Sequence, residues 1–334
     1  MRAVVSTVRV GRYVSAATLA IVLPLSACQG VQGGSDAGEH TYPTRAVNLT
    51  VPFAAGGSSD LISRAVAKAA EGPLGQSMVI TNKPGANGAV GGKEVLASPA
   101  DGYNLALAVK SLFAITPLVV KDPTAIQPDK MTIVATLVRE DYVLVVNAES
   151  RHKTLDELLK APSIKYGTAG VGTGGQLSMA LLFKAANTNA TDVPFDGGAP
   201  AIAALLGKQV DAVSGSLAET MEQIKAGKLR PLAVFSTQRS GFLPDVPTAK
   251  ENGIDVVVDQ RRFIIAPANL PEAVAAKLVQ AFTAARKDAA YDTFLKGNYM
   301  ERWEVSDAEA RQHLKDSAAE YQALVQKFGL TFGS

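Results

Sequence analysis

An α/β fold divided between two domains is what this sequence predicts, and three observations carry the prediction. Strand-like and helix-like stretches alternate through most of the chain, which favours parallel sheets covered by helices. Glycine-rich loops lead from apolar strand-like runs into helix starts, first at Asn48 to Val51 followed by Gly56-Gly57. Once an N-terminal leader is set aside, about 300 residues remain, too many for one ordinary core.

The leader is read from residue order. Arg2, Arg9 and Arg12 precede an apolar and small-residue run from Val14 to Leu25, and Leu25-Ser26-Ala27-Cys28 closes it. This is the layout of a secretory signal peptide over residues 1–27, and the run falls short of the roughly 20 apolar residues of a spanning helix. Cys28 is the only cysteine, so no intrachain disulfide is possible. The segment resembles a bacterial lipobox. That implies cleavage before Cys28 and lipidation of this residue, holding the mature protein on a membrane surface without spanning it. Residues 28–41, rich in Gly and poor in large apolar side chains, read as a flexible tether. Without the three leader arginines, 30 basic residues face 31 acidic ones. A near-neutral chain with no basic run gives no footprint for nucleic acid.

The stretch Phe53-Ala54-Ala55-Gly56-Gly57-Ser58-Ser59-Asp60 reads as an anion cradle. Leu61, Ile62, Ala65, Val66 and Ala69 recur at helical spacing behind it. Gly56 and Gly57 allow unusual backbone conformations and close ligand approach, Ser58 or Ser59 is a candidate N-cap, and Asp60 suits the first turn. Four unpaired amides and about half a positive charge at the helix start favour a carboxylate or phosphate.

This helix is expected to stop at Gly72-Pro73. Met78 to Thr81 is a second strand, Asn82 to Gly88 a second glycine loop, and Ala89 to Ala97 its helix. Tyr103 to Val109 forms a strand ending at Lys110-Ser111, where the lysine is a candidate contact for an anion. Met131 to Leu137 and Tyr142 to Val146 read as strands separated by Arg139-Glu140-Asp141. Thr154 and Glu157 form a capping box.

Gly170-Val171-Gly172-Thr173-Gly174-Gly175 then fits G-x-G-x-x-G after a strand and before a helix, with Asp192 at about the distance of a ribose-binding acid. An exported dinucleotide-dependent oxidoreductase is therefore one hypothesis. Export, Val193-Pro194 after Asp192, and scattered His40, His152 and His313 weigh against it. The motif's physical content is a second anion cradle, from Gly172 and Thr173 through Gly174 and Gly175 to Gln176. A weaker third follows at Pro194 to Pro200, including Asp196. No G-x-S-x-G, reactive cysteine, P-loop or metal-ligand cluster occurs, so the pattern offers neither a catalytic constellation nor a cofactor site. Farther on, Arg230 to Phe235 and Ile254 to Val258 read as strands, with a short helix at Ala249 to Asn252 between them. Arg261-Arg262 supply either a carboxylate clamp or an interface before the strand Phe263 to Pro267. Ser306 with Glu309 starts the last helix.

Six segments together resemble the solute-binding proteins of the tripartite tricarboxylate transporter family, the Bug-type receptors. They are Pro52 to Asp60, Asn82-Lys83-Pro84-Gly85-Ala86, Asp101-Gly102-Tyr103, Gly170 to Gly175, Val193-Pro194-Phe195 with Gly197-Gly198, and Leu243 to Thr248. The resemblance implies a two-lobed periplasmic-binding fold of type II, with residues 42–142 plus 260–334 in one lobe and 143–259 in the other. It further implies a small carboxylate held in the cleft by the loops Phe53 to Asp60 and Gly172 to Gln176, and delivery to a membrane permease. Lys110, Gln176, Asp196 and Arg262 are the candidates for telling one acid from another, and Ser111 is a further candidate ligand contact. The chain departs from the family's pattern at Gln176, at Asp196, near Lys110 and at Arg261-Arg262. A sensor signalling to a membrane partner is a further alternative to a transport receptor.

Overall fold

The structure, a computed structural model, describes residues 42–330. The expected signal peptide at 1–27 and the expected tether at 28–41, Cys28 included, lie outside the described residues. The first elements are β1 (Val47–Val51), α1 (Ser58–Leu74), β2 (Met78–Asn82), α2 (Ala89–Leu96), β3 (Asn104–Val109), α3 (Lys110–Ala114) and α4 (Thr116–Val119). The long strand β4 (Met131–Asn147) follows. Then come α5 (Leu155–Leu159), β5 (Ile164–Thr168), α6 (Gly174–Ala185), β6 (Ala190–Pro194), α7 (Gly198–Leu206), β7 (Ala212–Ser216), α8 (Leu217–Lys225) and β8 (Leu229–Val234). The last are β9 (Asp259–Pro267), α9 (Glu272–Arg286), α10 (Ala289–Gly297), β10 (Glu301–Arg302) and α11 (Asp307–Lys327).

The strands join in the order β2-β1-β3-β9-β4-β7-β5-β6, with β8 and β10 also paired to β4. The expected parallel pairing exists in two sets, β2-β1-β3 and β6-β5-β7. Between them β4 and β9 run antiparallel to their neighbours, so the sheet is mixed. Strand β4 changes partner midway, pairing with β9 as far as Asp141 and with β7 from Tyr142 onward.

Side-chain alternation then builds four apolar layers. On β3 and β9, Leu105, Leu107 and Ile264 enter a core covered by α1 and α9, while Ala106, Ala108 and Phe263 enter one that includes Val95, Phe113 and Leu314. On β4, Val143 and Val145 pack with Ile202 and Leu217, and Leu144 and Val146 with Leu177 and Phe183. Every strand near the centre is thus buried on both faces, as an α/β sheet requires.

Five details differ from the sequence expectations. Arg139-Glu140-Asp141 do not break β4, because alternation gives each charge a partner: Arg139 meets Asp141 and Glu301 on one face, and Glu140 meets Arg262 on the other. Ala249 to Asn252 is a turn, not a helix, and Ile254 to Val258 forms no strand, although Val258 donates to the Phe235 carbonyl at 2.9 Å and both it and Val256 are buried. Helix α1 runs through Pro73 to Leu74, where Gly75 at φ +81° closes it by donating to the Glu71 carbonyl. Helix α10, capped by Asp288, joins the set.

Candidate functional site

The site grows from the paired stretch where β4 and β9 lie side by side, with Arg139 opposite Arg261, Glu140 opposite Gln260 and Asp141 opposite Asp259. Period-two alternation sorts these residues. Tyr142, Gln260 and Arg262 face a cavity of about 370 Å³, with Glu140 behind Arg262, while Arg139, Asp259 and Arg261 face a separate hollow. The cavity has the volume of a small-metabolite site.

Helix α1 enters from one side. Its N-cap Gly57 is extended and no side chain caps it, so the first amides, at Ser58 and Ser59, stand at the cavity wall. The serine side chains point to the strands. Ser58 Oγ donates to Glu140 at 3.2 Å and Ser59 Oγ accepts from Arg262 Nε at 3.1 Å. Glu140 and Arg262 form an ion pair with relative exposures of 2% and 4%. Burial pulls the Arg262 guanidinium down to about 9, which leaves it charged at neutral pH. Asp60 props the loop from behind: it accepts from the Gly56 amide, Asn82 Nδ2 and Arg64 Nε, each at 2.9 Å. Burial alone would raise this carboxyl, but those bonds outweigh it and hold it below the usual carboxylate range.

Opposite stand the starts of α6 and α7. In the Gly170 to Gln176 loop side chains of the loop itself engage two of the amides. Gly172 N donates to Gln176 Oε1 at 2.8 Å and Gln176 N to Thr173 Oγ1 at 3.3 Å, while the Tyr142 hydroxyl accepts from Gln260 Nε2 at 3.0 Å. Asp192, at the ribose-binding distance of the dinucleotide motif, instead accepts from Gln176 Nε2 at 2.6 Å and from Thr168 Oγ1 at 3.0 Å. The loop after β6 behaves differently. Gly197, at φ +123°, begins α7 without a side-chain cap, and Gly198, Ala199 and Pro200 line the cavity. The weakest of the three glycine loops in the sequence therefore faces the α1 cradle.

Of the residues singled out from the sequence, Phe53, Ala54, Gly57, Ser58 and Ser59 line the cavity from the first loop. Thr173, Asp196 and Arg262 line it from elsewhere. Gly56 and Asp60 support the loop without reaching the cavity, and Gly172, Gly174, Gly175 and Gln176 lie behind Thr173. Lys110 and Ser111 are elsewhere. Lys110 is 1% exposed, paired with Asp259 and donating to the Tyr321 hydroxyl at 2.7 Å, while Ser111 Oγ accepts from Asn87 Nδ2. Sequence reading passed over Glu140, Glu219 and Asn87. Each left a trace: a carboxylate at the inward phase of a buried strand, a Ser216-to-Glu219 capping-box spacing, and an Asn-Gly turn. Asn87, at φ +50°, ties the second loop to the Gly172 carbonyl at 2.9 Å.

On the back of β4 and β9, Lys110, Arg139, Asp259, Arg261 and His313 surround the second hollow. His313 stacks on Trp303 at 5.7 Å, and burial, then Arg261 and Lys110, hold its imidazole down at about 4. The unfolded chain takes this proton near pH 6.5 and the folded protein refuses it until about pH 4, so stability is lost as pH falls through that window. His313→Phe should flatten this part of the curve, measured by urea unfolding at pH 7 and pH 5; equal losses in both proteins would contradict the assignment.

Among the described residues no group of His, Cys, Asp and Glu is placed to hold a metal ion, and no helix is long and apolar enough to cross a membrane.

Comparison with known proteins agrees with this architecture. The model of the tripartite tricarboxylate transporter family receptor matches residues 62–330. The periplasmic binding protein BugD is 30% identical, with a TM-score of 0.80 over 86% of this chain and 99% of BugD. Rpa4515 of R. palustris, solved with adipate, is 26% identical, with a TM-score of 0.81 over 86% of this chain and 98% of that one. MatC from Rhodopseudomonas palustris, solved with bound malate, is 26% identical, with a TM-score of 0.79 over 85% of this chain and all of MatC. These are two-lobed α/β binding proteins, and by the family match this chain belongs to the tripartite tricarboxylate transporter receptors.

Proposed function

We propose that the chain is an extracytoplasmic solute receptor that binds a small organic carboxylate in the 370 Å³ cavity and delivers it to a membrane permease. The observation that carries this reading is the uncapped start of α1, whose first amides line that cavity beside a buried arginine. Such a helix start is a ready anion site. Relatives solved with adipate and malate support the same ligand chemistry. We read residues 42–142 plus 260–334 and residues 143–259 as the two lobes, meeting where β4 changes partner, so that closure brings α1 and α7 onto one ligand.

Ligand-stripped protein screened by thermal shift against di- and tricarboxylates should rise in melting temperature with at least one acid. A ligand present at a hundred times its Kd adds about 2.7 kcal/mol of stability. A flat response across the panel from folded protein would refute the reading.

The lipobox reading adds an anchor. Cys28→Ser should move the protein from the membrane fraction to the soluble fraction on cell fractionation, since the acyl chains supply the attachment. An unchanged distribution would remove the anchor from the account while leaving the binding site untouched.

A further inference from the structure

The charges around the cavity do not balance, and their arrangement describes the ligand more narrowly. Three charged side chains line it: Arg262, Asp196 and Glu219. Arg262 is already neutralised by Glu140. Asp196 and Glu219 have no cationic side chain paired to them among the described residues. The wall at α1 is therefore positive through its amides, and the wall formed by α7 and α8 is negative.

Glu219 is held in this position by local structure. It stands in the first turn of α8, where Ser216 N donates to its Oε2 at 3.2 Å. Its carboxyl lies against Gly198, so close that a Cβ there would fall 2.4 Å from it. That glycine is what lets the carboxylate sit at the start of α7. The half-charge of the α7 amides meets a full negative charge there, and the excess is negative. A dicarboxylate spanning the cavity would bring its second carboxylate against this acid. An ammonium group would meet it as a charge-assisted hydrogen-bond partner. Burial pushes the Glu219 carboxyl up from its ordinary range, a cost that a bound cation relieves.

Resting on the carboxylate-receptor reading, we propose that the preferred ligand is a small amino acid. Its carboxylate meets the amides of Ser58 and Ser59, and its protonated amine meets Glu219, with Asp196 at the rim.

Calorimetry with matched pairs that differ only in the amine, alanine against propionate and aspartate against succinate, tests it on the full mature chain. The amine-bearing member should bind wild-type protein at least about tenfold more tightly, as one charge-assisted hydrogen bond is worth that much or more. Glu219→Gln, which keeps the capping-box geometry, should erase the preference while any binding of the amine-free acid persists or strengthens. Asp196→Asn, at an exposed position, should weaken the preference only in part. Equal affinity within each pair, or a preference that survives in both variants, overturns the amino-acid assignment and leaves the receptor reading standing. Failure of every carboxylate to bind folded wild-type protein overturns both.

Discussion

Replacing Glu140 by alanine is expected to lower the unfolding free energy by about 3–5 kcal/mol, because the buried guanidinium of Arg262 then loses its counter-charge. The loss is larger than for any surface ion pair, such as Lys160 with Asp156, whose exposure limits it to about 0–1 kcal/mol. Urea unfolding of the two variants side by side measures the difference. The pair sits where β4 and β9 adjoin the cavity, so the variant also bares a cation to the ligand and should favour di-anions over mono-anions more than wild type does. A loss below about 1 kcal/mol would mean that water already reaches Arg262, and with it that the cavity is more polar than the burial of these groups implies.

Filling the cavity should have an equally large effect on binding with almost none on folding. Ala203 lies on α7 with its side chain exposed and lining the cavity, so Ala203→Phe places a ring where the ligand goes without disturbing a packed core. Affinity for any ligand of this site should fall by about a hundredfold or more, some 2.8 kcal/mol, with the melting temperature unchanged. Glycine substitutions make poorer probes. Gly57 has φ −79°, which any residue adopts, and a Cβ there meets only the Ala54 carbonyl at 3.6 Å. Gly56, at φ +82°, is the position in the first loop that resists a side chain, at roughly 1–2 kcal/mol.

What could be read from the sequence was local. The strand, loop and helix from Asn48 to Ala69 were legible because apolar periodicity, turn residues and first-turn acid all lie within two dozen positions of one another. Thr154 with Glu157 and Ser306 with Glu309 form capping boxes at the expected positions for the same reason. The strand break at Arg139 to Asp141 was misread because charges inside a strand look like a boundary until their partners are known, and Arg262 and Glu301 come from far along the chain. Lys110 shows the same limit: Asp259 and Tyr321, which bury it, lie 149 and 211 residues away. The loop opposite α1 was also out of reach. Glycine count favours Gly170 to Gly175, but free amides make a cradle, and the side chains of Gln176 and Thr173 take those of Gly172 and Gln176.

A crystal structure of the protein with its co-purified acid tests the central claim most directly. The account predicts carboxylate oxygens about 2.7–3.2 Å from the amide nitrogens of Ser58 or Ser59, with the rest of the molecule reaching toward α7. An acid seated instead in the hollow of Lys110, Arg139 and Arg261, with only solvent in front of α1, would contradict it.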